Sequence, residues 1–408
     1  MTENIFNELE SEASKCISCG FCESVCPTLP ASGYSLSMGA RGRVILGKEL
    51  LKATGSGKDM TSFFDSFYSC LDCFACLQVC PAGVNAGKVS QLSRSILVES
   101  GERGSKDPVA EMIIKVTEKT MNPLGQGKQM ARWSNGLQFD RNSEYLLYTG
   151  NMYQLMAYTR TLNRVRKRTG KTLSRAMAGI VSRVPSLSTA FRFQSDPETA
   201  VQMERTLSGI YDLLRKAGIT PWYLGEREPY PGTFIHDLGY EGAFRKYAEK
   251  VHGILKEENK TIIVIDPHTY DLLKNTYRET VEGYSLKVVY YLDLIGNLKI
   301  RKSTERVVFH EPCHLVLRNP EYSTPKKILE NNFNLVLPRR SGKRTMCCGG
   351  PNELLFPDLS EKVSEKRFRD LESLNGDRIV TACPICYINL GKSSKNIELS
   401  DLILKNVE

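Results

Sequence analysis

Cys16-Ile-Ser-Cys19-Gly-Phe-Cys22-Glu-Ser-Val-Cys26-Pro27 returns downstream as Cys70-Leu-Asp-Cys73-Phe-Ala-Cys76-Leu-Gln-Val-Cys80-Pro81. Two copies of C-x2-C-x2-C-x3-C-P in one chain form a thiolate pattern for two [4Fe–4S] cubes. Three closely spaced thiolates grip three irons of one cube, and the fourth, beside the proline, reaches across to the other. The pattern assigns Cys16, Cys19, Cys22 and Cys80 to one cluster, and Cys70, Cys73, Cys76 and Cys26 to a second. Cubes that exchange their fourth ligand lie close together, so such a module passes single electrons. Zinc also takes thiolates at C-x2-C spacing. It needs neither a third evenly spaced cysteine nor a terminal Cys-Pro. A disulfide framework fits less well still, because the chain is long and groups its cysteines in ligand-like runs.

Working outward, residues 1–105 read as a helical two-cluster ferredoxin domain. Helical apolar spacing runs over Arg43–Leu51, Phe63–Tyr68 and Val89–Val98. Thr54-Gly-Ser-Gly-Lys58 lacks the first glycine and the final Ser or Thr of a phosphate-binding loop, and reads as a linker. Residues 106–140 read as a mixed connector, with breakers at Asn122-Pro123 and Gly125 to Gly127.

The second half contains a degenerate internal repeat. Asp377-Arg-Ile-Val-Thr-Ala-Cys-Pro-Ile-Cys-Tyr387 parallels Lys260-Thr-Ile-Ile-Val-Ile-Asp-Pro-His-Thr-Tyr270, so Asp266 and Thr269 stand where Cys383 and Cys386 stand. Upstream, Glu144 to Asn151 parallels Glu305 to Cys313, and Gly239-Tyr-Glu-Gly242 aligns loosely with Cys347-Cys-Gly-Gly350. Apolar strands followed by helices at Leu207–Lys216 and Asp358–Leu374 predict two α/β lobes, 141–285 and 286–408. The expected class is α+β multidomain.

The net charge of +9 is concentrated. Residues 145–195 hold nine basic side chains and no acidic one: Arg160, Arg164, Arg166, Lys167, Arg168, Lys171, Arg175, Arg183 and Arg192. Setting these nine aside from the 55 Lys and Arg leaves the rest of the chain balanced against 46 Asp and Glu. The run is an insertion, 153–195, in the first lobe. Leu173, Met177, Ile180 and Val184 share one helical face in it, before Pro185. A core-packed helix with a solvated basic rim is one reading. A surface helix meeting acidic lipid or an acidic partner is the other. Few aromatics interleave the charges, which argues against nucleic acid. No aliphatic stretch is long enough to cross a bilayer, and acidic residues at Glu3, Glu8, Glu10 and Glu12 oppose a targeting segment. The expectation is a cytoplasmic protein, peripheral on the membrane face.

Five cysteines remain: Cys313, Cys347-Cys348 before Gly349-Gly350, and Cys383-Pro-Ile-Cys386. A cube needs four thiolates and this set offers five. The surplus leaves two options, an opened noncubane cluster or one cysteine free for chemistry or structure. With Gly39-Ala-Arg-Gly-Arg43 and His310-Glu-Pro-Cys-His314, the pattern resembles the cysteine-rich "CCG" domain family. Ferredoxin followed by CCG lobes resembles the iron–sulfur subunits of glycolate oxidase and anaerobic glycerol-3-phosphate dehydrogenase. It also resembles the fused ferredoxin–CCG subunit of heterodisulfide reductase. The resemblance implies that Cys313, Cys347, Cys348, Cys383 and Cys386 ligate a third cluster, with His310 and His314 nearby. The chain departs from heterodisulfide-reducing members because no cysteine lies between Cys80 and Cys313. The first lobe is therefore expected to keep the fold without a cluster.

No G-x-G-x-x-G follows a predicted strand, so no flavin or nicotinamide site is expected in this chain. The implied function is an electron-transfer subunit. A flavoprotein dehydrogenase of a 2-hydroxy acid or glycerol 3-phosphate, or another redox subunit, would supply electrons. They would pass through two cubes to the CCG cluster and on to quinone or another acceptor. The alternative is a thiol–disulfide reductase acting at the CCG cluster.

Overall fold

The computed structural model describes residues 2–57, 59–102, 104–159, 161 and 195–408. The amphipathic stretch 173–184 and the basic run around it lie outside the described residues. Four helices, Thr2–Ser14, Ala40–Ala53, Thr61–Tyr68 and Ala86–Ser100, surround the two Cys-Pro motifs. Their apolar faces meet in a core where Leu9, Phe67 and Val89 are fully buried. The second and fourth of these helices are longer at both ends than their apolar spacing indicates. Gly39 starts one, and the Asn85 side chain caps the other by accepting from Lys88 N at 3.0 Å. Gly42 is obligatory: a Cβ there would sit 1.8 Å from the Leu36 carbonyl oxygen. The connector contains a helix over Pro108–Thr120, in which Ala110, Ile113, Ile114 and Thr117 are buried. The breakers at 122–127 lie just beyond its end.

Two four-stranded sheets follow, each wholly parallel. The first contains β1 (Tyr145–Tyr148), β2 (Trp222–Tyr223), β3 (Thr261–Val264) and β4 (Lys287–Tyr290), in the order β2-β1-β3-β4. The second contains β5 (Arg306–His310), β6 (Asn334–Val336), β7 (Arg378–Thr381) and β8 (Asn396–Glu398), in the order β6-β5-β7-β8. The same order recurs because the sequence repeat recurs: β1 matches β5 and β3 matches β7. Parallel strands need crossover helices, supplied on one side by Pro197–Lys216 and Glu241–Glu257 and on the other by Thr324–Asn332 and Pro357–Glu372. The third alignment of the repeat shifts by nine residues. Gly232 (φ 91°), not Glu241, matches Gly349 (φ 90°). Each opens a short helical turn ahead of a long helix, and each φ is one that glycine adopts without strain.

The two sheets are joined through buried polar contacts. Asp401 accepts from Thr206 Oγ1 at 3.1 Å and from Gln202 Nε2 at 3.0 Å. Glu398, fully buried, accepts from Tyr153 OH at 3.2 Å and caps the last helix through Ser400 N at 2.6 Å. Among the described residues, no helix is long and apolar enough to cross a membrane.

Burial raises the Glu398 carboxyl to about 8. A carboxyl raised on folding contributes stability below its unfolded value, and that contribution is lost as pH rises through the folded value. The melting temperature should therefore fall between about pH 5 and about pH 9, and fall less in Glu398→Gln, as measured by circular dichroism on iron-loaded protein.

Candidate iron–sulfur centres

The two Cys-Pro loops share one backbone path. Ser18 and Asp72 occupy the left-handed region at φ 58° and 45°, and Gly20 and Phe74 occupy it two residues later at 80° and 60°. For phenylalanine this conformation is costly; the Phe74 ring is held beneath the Arg318 guanidinium, 4.0 Å from its centroid. The loops enclose two separate spaces. One, of about 360 Å³, is lined by Cys16, Cys19, Cys22 and Cys80. The other, of about 350 Å³, is lined by Cys26, Cys70, Cys73 and Cys76. The fourth cysteine of each motif thus faces the other motif's triplet.

Charge compensation is built around these spaces. Arg43 is fully buried and donates to Ser66 O (2.7 Å), Ser69 Oγ (2.9 Å) and Thr28 Oγ1 (3.1 Å), with Cys26 Sγ at 3.8 Å. Burial alone would raise the Cys26 thiol; Arg43 and Thr28 reverse this and lower it. Arg94, also buried, pairs with Asp72 and donates to the carbonyls of Phe67, Cys70 and Asp237, tying the second loop to the first sheet's half. Amides point at sulfur too: Val84 N lies 3.2 Å from Cys80 Sγ and Ser18 N lies 3.4 Å from Cys16 Sγ. Such donors favour the thiolate and tune a bound cluster's potential.

The third constellation forms at the carboxyl ends of β5 and β7, the two central strands, where the connections leave in opposite directions. Parallel sheets bind ligands at that switch point. Cys313 follows β5, Cys383 and Cys386 follow β7, and Cys347-Cys348 arrives on the loop after β6. All five are buried. Cys313 and Cys347 sulfurs lie 3.8 Å apart. Cys348, Cys386 and His310 present ligand atoms within 4.8 Å of one another. Gly349 N and Gly350 N approach Cys347 and Cys348 sulfurs at 3.4 and 3.5 Å.

Both histidines of His310-Glu-Pro-Cys-His314 stand beside this set. Buried Arg367 donates from Nε to His310 Nδ1 at 3.1 Å. Burial lowers the His310 pKa, so the ring is neutral and carries its proton on Nε2. That atom is buried, without a hydrogen-bond partner among the described residues, and the ring stands within 4.8 Å of the Cys348 and Cys386 sulfurs. His310 is therefore placed to offer a proton to sulfur at this centre. His314 pairs through Nδ1 with Asp271 at 2.9 Å and stacks on His268 with ring centroids 3.9 Å apart. The sequence carries no signal for Arg94 or Arg367, and marks Arg43 only as part of Gly39-Ala-Arg-Gly-Arg43, because each acts across the fold.

The matching positions of the first sheet hold no thiol. Asp266 instead caps the following helix, accepting from His268 N and Thr269 N at 3.0 Å. Glu228 accepts from Thr149 Oγ1 at 2.6 Å and Gly150 N at 3.3 Å. Two carboxylates thus fasten loops whose counterparts carry cysteines.

The three cysteine sets also form a series. Leu71, Cys73 and Ala75 of the second motif pack in one buried cluster with Cys313, Cys347, Cys348, Cys383 and Cys386. After burial, the largest influence raising the Cys73 thiol is Cys313 itself. In the first set Cys19 is exposed.

His310→Leu should leave iron content unchanged but lower the reduction potential of the C-terminal centre by tens of millivolts in an EPR-monitored titration. Loss of its iron would instead make His310 a ligand.

Comparison with known proteins agrees with this geometry. Residues 12–84 match the 4Fe-4S dicluster domain family and residues 307–391 the cysteine-rich domain family. A probable iron-sulfur-binding oxidoreductase, FadF, of Bacillus subtilis is 30% identical over 47% of this chain and 28% of its own length. An EtfAB:quinone oxidoreductase of Syntrophomonas wolfei is 22% identical over 83% of this chain and 44% of its own. A polypeptide of the dihydromethanophenazine:CoB--CoM heterodisulfide reductase of Methanosarcina barkeri is 22% identical over the whole chain and 95% of its own length. The chain thus spans less than half of the first two relatives and nearly all of the third. The donor sets fit [4Fe–4S] clusters, the group that the first matched family is named for. The chain thus joins a region similar to the 4Fe-4S dicluster domain family to one similar to the cysteine-rich domain family, as is consistent with CCG-domain iron–sulfur subunits.

Proposed function

We propose that the chain is the electron-transfer subunit of a flavin-linked or heterodisulfide-reductase-like complex. The observation that carries this reading is the packing of Cys73 beside Cys313, which joins the ferredoxin cysteines to the CCG cysteines in one dry interior. In this reading Cys16, Cys19, Cys22 and Cys80 hold the first cluster, and Cys70, Cys73, Cys76 and Cys26 the second. Cys313, Cys347, Cys348, Cys383 and Cys386 hold the third. The clusters, when bound, supply single-electron redox chemistry. The chain's residues exclude water, hold the thiolates and offset their charge through Arg43, Arg94 and His310. Residues 1–105 form the ferredoxin domain, 106–140 the connector, 141–285 a degenerate CCG lobe and 286–408 the metallated lobe.

Electrons are proposed to enter beside Cys19. Five of the six large apolar side chains left exposed among the described residues, Ile17, Phe21, Tyr34, Leu36 and Ile45, come from this end. Exposed apolar groups gathered at a redox-active edge suit a protein partner, here a flavoprotein. Attachment to the cytoplasmic membrane face through the basic residues 160–192 extends the same reading.

A second reading, thiol–disulfide reduction at the C-terminal centre, is favoured by five buried cysteines where a cube needs four. The lack of any cysteine at the corresponding first-lobe positions, where Asn151, Asp266 and Thr269 stand, opposes it.

Phe21→Glu combined with Ile17→Glu should slow reduction of the clusters by the co-purifying flavoprotein at least tenfold, while dithionite reduces them as in the unmodified protein. Equal rates with the flavoprotein would place the entry elsewhere. Disulfide reduction without any flavoprotein would favour the second reading.

A further inference from the structure

The segment 337–346, which leaves β6 and runs into Cys347-Cys348, reaches two centres. Its Arg340 donates from Nη2 to the Val25 carbonyl at 2.6 Å, across 315 residues of chain. Val25 precedes Cys26 of the second ferredoxin set, and it is buried in one cluster with Cys73 and Cys313. On the other side, the Arg340 carbonyl accepts from Arg367 Nη1 at 3.0 Å, and Arg367 Nε donates to His310 Nδ1 at 3.1 Å. A continuous line of contacts, His310, Arg367, Arg340 and Val25, therefore runs from the third centre to the second. The segment is held in this place. Glu311, two residues before Cys313, accepts from Gly342 N at 2.5 Å through its side chain and from Thr345 Oγ1 at 3.0 Å through its carbonyl.

The charges around the two ferredoxin sets differ. Arg41 lines the first space, but its guanidinium is paired with Glu23 at 3.1 Å, so little net positive charge faces those thiolates. After burial, Glu23 is the largest influence raising the Cys22 thiol. Arg43 lines the second space and forms no salt bridge among the described residues, its partners being neutral oxygens and Cys26. Arg340 forms none either. Asp370, on the helix Pro357–Glu372, is the carboxylate whose field reaches it, together with the Cys73 and Cys26 thiolates. Two further arginines near the second set, Arg94 and Arg318, are matched by Asp72 and Asp271. The second set thus keeps two unmatched cations, one from its own domain and one from the C-terminal lobe. Burial opposes reduction of a cluster, because added negative charge is costlier away from water. Cations held against the cluster loop offset that cost and raise the potential.

We propose that Arg340 is a cation lent by the C-terminal lobe to the second ferredoxin centre, which raises that centre's reduction potential and favours movement of an electron inward from the first centre. The inference rests on the relay reading above and gives the relay a direction. The step transfers one electron, which the first centre loses and the second gains.

The test is an EPR-monitored redox titration of the anaerobically purified, cluster-loaded chain, in which the signal altered by Cys76→Ser marks the second centre. In the unmodified chain the second centre should titrate at higher potential than the first. Arg340→Gln should move the second midpoint to more negative potential by roughly a tenfold change in its oxidised-to-reduced ratio, about 59 mV for one electron, and leave the first in place. Arg340→Lys keeps the charge and should restore most of the shift. Asp370→Asn leaves Arg340 on Val25 and removes the carboxylate acting on it, so the second centre should move the opposite way. That variant decides the matter if Arg340→Gln loses the second cluster. A second midpoint unchanged in both Arg340→Gln and Asp370→Asn, or an equal shift at all centres, overturns the proposal and leaves the relay standing. So does a lysine variant that behaves as the glutamine variant, or a second centre that titrates below the first in the unmodified chain. Failure of the unmodified chain to bind or reduce its clusters would instead sink the relay.

Discussion

Gathering thirteen cysteines into three sets, with seven buried and Cys19 alone exposed, is the constraint on which the rest of the structure depends. A thiolate resists burial, and burial pushes the Cys22 and Cys76 thiols up to about 12. At neutral pH such groups hold their protons unless a metal takes their place, so cluster binding and the folding of these loops are one process. The negative charge that results must be met locally. Arg43 is fully buried against Cys26, Arg94 against the Cys70 loop, and Arg367 acts on the third set through His310. Buried arginines with no such duty would be destabilising.

The first sheet shows how the same loops close when cysteines are replaced. They follow the same paths as those of the second sheet, down to the matching φ of Gly232 and Gly349. Yet Glu228 and Asp266 close them with hydrogen bonds to backbone amides. Their carboxyls are raised by burial to about 7 and about 6, the cost of using acids where iron would otherwise organise the loop. The exchange frees the face of that lobe and leaves apolar residues such as Met152 and Phe234 beside a cleft.

Much of this is legible in the sequence because it is local. The Cys-Pro loops announce their ligand exchange through spacing, and the structure brings Cys80 to Cys16 and Cys26 to Cys70. The repeats at Glu144 and Lys260 announce β1 and β3 as counterparts of β5 and β7. The repeat misplaces Gly232 because the loop before it differs in length between the copies, and short glycine patterns carry little register. The helix Pro108–Thr120 is hidden because the adjoining breakers dominate the segment. Arg43, Arg94 and the meeting of Cys73 with Cys313 leave no periodic trace, since each joins residues far apart in the chain. Gly42 and Arg43 do stand in the motif Gly39-Ala-Arg-Gly-Arg43, but only the fold shows that one avoids Leu36 and the other serves Cys26.

The central claim is a continuous series of three centres, with the C-terminal one adjoining the second ferredoxin cluster. It is tested most directly by iron analysis combined with EPR during stepwise reduction of the anaerobically purified chain. The account predicts about twelve irons per chain. It also predicts that the spectrum of the C-terminal centre broadens as the Cys70–Cys76 centre becomes paramagnetic. About eight irons or fewer, or a C-terminal spectrum indifferent to the state of its neighbour, would contradict it.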